Sequence, residues 1–112
     1  MKEMKKMVES LAADVLKVQF ELEDHFEFDG LAAALKDYRK RLKAILQYEP
    51  VITEEDTERR GQLKCLAYGY QMESQKALDR LATVTAKSNV FDVIDVLRFV
   101  YGRLVYCADE NE

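Results

Sequence analysis

The stretch NVFDVIDVLRFVYGRLVYC, residues 89–107, decides the fold class. Its β-branched and aromatic residues have the composition of a strand. Its polar residues decide otherwise. Asp92, Asp95 and Arg98 recur at every third position, and an alternation of two cannot hold them on one face. A helix can, and it then gathers Val93, Leu97, Val100 and Leu104 on another face. The segment reads as a helix over 90–107, with Ser88-Asn89 as its cap and Asp92 placed to complete a capping box.

Working outward, helical spacing continues in every direction. Leu63, Leu66, Ala67, Tyr70, Ala77, Leu78, Leu81 and Val84 form a seam that predicts a third helix over 54–87. Unbroken, it would measure about 50 Å at 1.5 Å per residue, with Gly61 or Gly69 as the place for a bend. TEED at 53–56 marks its start, a capping hydroxyl on Thr53 followed by acids that suit the positive end of a helix dipole. Leu31, Leu35, Tyr38, Leu42 and Ile45 predict a second helix over 30–48, capped by Asp29 and ended before Pro50. Met4, Val8, Leu11, Val15, Val18 and Leu22 alternate steps of four and three, a heptad seam for a first helix over 3–27. Four helices joined by short loops predict an all-α, antiparallel four-helix bundle, with residues 1–112 as a single domain.

Composition agrees. The 112 residues are 48% apolar and 34% charged, and one proline with four glycines is too few for a turn-rich β fold. A chain of this length buries a core without disulfide or metal staples. The net charge of −4 weighs against general nucleic-acid binding, which favours a basic excess. Two cysteines make no disulfide framework, which points to a reducing compartment. The opening MKEMKKMVESLAADVL lacks the pattern of a signal peptide. No apolar run approaches the roughly 20 residues of a membrane span. The expected location is the cytoplasm, with no membrane partner.

Three of the helices carry a second apolar stripe. Leu16 and Phe20, with Ala13 between them in angle, oppose the seam of the first helix. Gly61, Cys65, Tyr68 and Met72 oppose Leu63 and Tyr70 in the third; Phe99 and Tyr106 lie off the seam of the fourth. A lone bundle buries one stripe per helix, and each large side chain left in water forfeits about 1.5–3 kcal/mol. One alternative is a central helix touched on all sides; another is ordinary surface aromatics. The expectation preferred here is a partner-protein or homodimer face built from Leu16, Phe20, Cys65, Tyr68, Met72, Phe99 and Tyr106.

Catalytic chemistry finds less support. FELEDHFEFDG, residues 20–30, holds the one histidine among five carboxylates. A metal would want three or four ligands, and without a second histidine or a Glu-x-x-His pair His25 reads as the acidic end of a helix. Cys65 and Cys107 have neither a second histidine nor a Gly-rich turn to work with. No cofactor motif is present, and no catalytic or metal residue is assigned.

Three carboxylate pairs invite comparison with a known family. Glu21/Asp24, Glu55/Glu58 and Asp92/Asp95 each share a helix face, and each is oxygen-rich as magnesium prefers. In this they resemble the all-α, MazG-like nucleoside-triphosphate pyrophosphohydrolases, whose Glu-x-x-Glu and Glu-x-x-Asp pairs hold magnesium. The resemblance implies a nucleotide pyrophosphohydrolase as the alternative function. It extends to helicity and acidity alone, since 21 acidic residues produce pairs at this spacing about as often by chance.

KDYRKRLK, residues 36–43, places Lys36, Arg39, Lys40 and Lys43 on the outer face of the second helix. That face is a second alternative, weak nucleic-acid binding, or a solvated surface balancing the acids at the helix ends. The leading expectation is a small cytosolic protein that acts by protein–protein interaction, as adaptor, assembly chaperone or inhibitor, and that self-associates as a homodimer.

Overall fold

Each of the four apolar seams forms a helix over most of its length. A computed structural model describes residues 2–50 and 54–110, and for residues 55, 56 and 108–110 the backbone alone. It contains α1 (Lys2–His25), α2 (Leu31–Gln47), a 3₁₀ turn (Glu54–Arg59), α3 (Arg60–Leu81) and α4 (Val90–Glu110). Among the described residues there is no strand. The 89–107 stretch is helical despite its β-branched content, because a buried face on α4 outweighs a weak local preference.

The helices pack as a bundle. α4 lies against α1 on one side and α3 on the other; α2 lies against α3 and, less extensively, α1; α1 and α3 touch across the middle. Among the described residues α2 and α4 do not meet. The heptad seam of α1 is buried throughout, from Met4 to Leu22. It meets Leu35, Tyr38, Leu42 and Ile45 of α2, Ala67, Tyr70, Ala77 and Leu81 of α3, and Val93, Leu97, Val100 and Leu104 of α4 in one continuous core.

Several boundaries differ from the sequence expectation. The expected 54–87 helix is instead the 3₁₀ turn followed by α3, which stops at Leu81. Past that point Thr83 donates its hydroxyl to Arg80 O at 2.6 Å. Thr85 N–H donates to Ser88 Oγ, and Lys87 N–H to Thr85 Oγ1. Short polar side chains thus offer the backbone a competing set of hydrogen bonds, and the buried Val84 pins the resulting turn. Gly61 falls in the first turn of α3 and Gly69 within it. Thr53 lies outside the described residues.

The cap expected at Asp29 is not made. Gly30 occupies the N-cap of α2 at φ 84°, without a side-chain hydrogen bond. A left-handed residue there suits glycine, and its carbonyl still accepts from Ala34 N–H. Asn89 does cap α4, its Oδ1 accepting from Phe91 N–H at 2.9 Å. α1 ends at His25, two residues short of the expected 27. α4 runs on to Glu110, past the expected 107. No helix among the described residues is long and apolar enough to cross a membrane.

Candidate functional site

The seven stripe residues do not form one patch; they are spread over different seams of the bundle. Leu16 stands seven residues before Glu23, half-buried on the side of α1 that meets α4, where Arg98 Nε donates to Glu23 Oε1 at 3.2 Å. Exposed Phe20 lies elsewhere on α1, lining a cleft against α2 with Val18, Phe28, Ala34 and Tyr38. The Gln19 amide, donating at 2.8 Å, and then the Arg98 guanidinium hold the Glu23 carboxyl below its usual range.

On the α3–α4 side the aromatics are organised by charge. Glu73 is buried, and its two oxygens accept from Lys76 Nζ at 3.2 Å and Arg103 Nη1 at 3.4 Å. A carboxylate in that position needs those partners, because an unpaired buried charge is strongly disfavoured. Arg103 in turn lies over Phe99 and Tyr106, 5.8 and 5.4 Å from the ring centroids, while Arg80 covers Phe99 at 5.1 Å. Cations within about 6 Å of a ring face are attracted by its quadrupole, so the rings of the half-buried Phe99 and the exposed Tyr106 are held in place. Cys65 and Met72 are exposed on the outer side of α3.

Tyr68, 68% exposed, belongs to the α2–α3 seam. With Tyr48, Pro50, Arg60 and Lys64 it lines an open cleft of about 1030 Å³. Beside it Gln71 Nε2 donates to the carbonyls of Ile45, Leu46 and Tyr48 at 3.4, 3.3 and 3.0 Å. A side chain of α3 thereby shares its two N–H groups among the carbonyls at the end of α2, the shortest contact being to Tyr48.

Two large exposed side chains escaped the sequence reading. Phe26 and Phe91 are 56% and 60% exposed, and their rings meet edge to face with centroids 5.7 Å apart. Phe26 follows the last residue of α1, so no helical wheel places it. Phe91 sits in the first turn of α4 off its seam, a signal that was legible in the sequence.

The remaining candidates stay apart from one another. His25 closes α1, exposed, with Nε2 3.7 Å from Glu21 Oε2. Asp24, Asp92, Asp95 and Glu58 are exposed, and the side chain of Glu55 lies outside the described residues. Among the described residues no group of three or more His, Cys, Asp and Glu side chains could hold a metal ion. Lys36, Lys40 and Lys43 are exposed and Arg39 half-buried on the outer side of α2; among the described residues none of the four forms an ion pair. Their neighbour Arg41 is engaged instead, with Asp14 at 2.6 Å, Ser10 at 3.0 Å and Asp37 at 3.4 Å. Comparison of the chain with protein-family models, curated proteins and solved structures gives no match.

Proposed function

We propose that the protein acts by binding protein, a second copy of itself first, through the outer face of α3 and α4. The observation that carries the reading is the cluster in which buried Glu73 fixes Arg103, and Arg103 fixes Phe99 and Tyr106. Aromatic rings braced by a neighbouring cation lose less freedom on binding than free ones, which suits them as interface anchors. Cys65 and Met72 continue the exposed apolar surface along the outer side of α3, with Tyr68 at its α2 edge. Leu16, beside α4, and Phe20, in the cleft against α2, leave further apolar surface open to a partner. Such a protein serves as an adaptor, assembly chaperone or inhibitor, in the cytoplasm, where an exposed Cys65 thiol stays reduced.

We infer further that successive helices run antiparallel. Supporting this, Ser10 and Asp14 pair in reverse order with Arg41 and Tyr38, and Glu73 and Arg80 with Arg103 and Phe99.

Sedimentation velocity at micromolar concentration tests the self-association. The expected result is a dimer that Tyr106→Glu and Tyr68→Glu convert to monomer without loss of helicity by circular dichroism. A wild-type monomer at these concentrations, or a dimer indifferent to both substitutions, refutes it.

A further inference from the structure

Where α1 gives way to α2 and α3 to α4, the two connections lie side by side and bring Phe26 against Phe91. Phe26 has φ 57°, the left-handed conformation, while its N–H donates to Leu22 O at 2.9 Å and closes α1. Glycine is the usual residue at this place in a helix end, because a Cβ is strained there. A phenylalanine that is both strained and mostly in water does not serve the fold. Its ring is available to something else.

The same end offers a recess. A cleft of about 420 Å³ opens beside Phe26, with buried Leu22 and Val93 among its lining and Gly30 and Ser88 at its margin. It is apolar in depth and large enough to accept an aliphatic side chain. The surface here is acidic: exposed Glu27 and Asp29 line the cleft, and exposed Asp24 and Asp92 stand within two residues of Phe26 and Phe91 in the chain. The nearby Arg98 is committed to Glu23, and Arg80, which shares a shallow recess with Asp92 and Asp95, lies over the Phe99 ring; His25 and Lys87 are the other local cations.

We propose that this end of the molecule is a docking site for a cationic amphipathic helix of another protein, with Phe26 and Phe91 as its anchors. Charge selects the partner class. An acidic rim repels nucleic acid and anionic lipid and draws in Lys/Arg-rich segments. The apolar pair and its cleft select the shape, since a helix presents apolar side chains at i, i+3 and i+4 between its charges and inserts them in such recesses. A second copy of this chain fits less well. On α2 its unpaired cations Lys36, Lys40 and Lys43 stand among exposed alanines, Ala33 and Ala44, with no large apolar side chain to fill the cleft. On α3 Lys64 does stand beside exposed Tyr68 and Met72, but that face is the one proposed for self-association. The site is separate from the α3–α4 face and holds whether or not that face self-associates.

The probe is a synthetic Leu/Lys amphipathic helix of about four turns, labelled and titrated by fluorescence anisotropy with the full chain; a Leu/Glu helix of the same pattern is the comparison. The Leu/Lys peptide is expected to bind at least about tenfold tighter than the Leu/Glu peptide, and to weaken with added salt. Phe91→Ser and Phe26→Gly should each weaken it about tenfold or more. Glu27→Lys, on an exposed connection, should weaken it as well. Phe26→Gly should at the same time raise the melting temperature, because it relieves the left-handed strain; a merely structural phenylalanine would lower it. The proposal is overturned by no Leu/Lys binding, by equal Leu/Glu binding, or by affinity unchanged in Phe91→Ser and Glu27→Lys. Dissociation of a dimer by Phe91→Ser, with peptide affinity intact, would instead assign the site to a second copy.

Discussion

Tyr38 shows how a single side chain of the core acquires a pH response. Its ring is buried and its hydroxyl donates to Asp14 O of α1 at 3.0 Å. Burial first, then the nearby Asp14 and Asp37 carboxylates, push its pKa from 10.0 up to about 12, against the opposing Arg41. The folded state therefore holds a proton that the unfolded chain releases near its ordinary pKa. Its stabilising effect is complete below about pH 10 and is lost as pH rises through about 12. Urea unfolding across that window should show stability falling with pH in the wild type and a shallower fall in Tyr38→Phe. At neutral pH the variant should be weaker by about 1 kcal/mol for the lost hydrogen bond. Tyr38 is legible as a core position from its place in the seam. That its hydroxyl finds a main-chain carbonyl 24 residues away is not, because only packing brings α1 to it.

Among the elements, the α1–α2 connection is governed by backbone geometry. Gly30 stands at φ 84°, and a Cβ built there meets nothing within 4 Å. Gly30→Ala should therefore destabilise by about 1–2 kcal/mol through strain alone. Asp29→Ala, which removes no side-chain cap of α2, should change little. Equilibrium unfolding of the two variants, with an unchanged denaturant slope, separates strain from capping; a larger loss in Asp29→Ala would reverse the assignment. The sequence placed the turn at Asp29-Gly30 correctly but assigned the cap to the wrong residue, since a left-handed φ is invisible in a string of residue types. At the end of α3 the apolar spacing persisted through Val84 and so suggested helix. The hydroxyls of Thr83, Thr85 and Ser88, each serving a backbone or local partner, end it earlier.

For the whole molecule, side chains divide into those the fold needs and those it carries. Leu97 is fully buried at the point where α4 meets the rest of the core. Leu97→Ala should cost about 2–5 kcal/mol of stability. Tyr68→Ala and Phe20→Ala remove side chains that stay mostly in water and should move stability by no more than about 0.5 kcal/mol. Thermal and chemical unfolding of the three, compared at one pH, checks the division. A large loss in Tyr68→Ala or Phe20→Ala would make those rings part of the fold and not of a surface.

By itself the sequence determined that the chain is helical and which face of each helix turns inward, because a period of 3.6 residues is written into the spacing of its apolar positions. It also showed that several helices carry more apolar surface than one inward face uses. Tertiary structure alone decided how that surface is shared out. It divided Phe20, Tyr68 and Phe99 among three seams, fixed Arg103 between a buried carboxylate and two rings, and set Phe26 against Phe91 across 65 residues of chain. The reason is physical: periodicity is a property of neighbours along the chain, whereas a patch is made by residues whose distance is set only when helices pack.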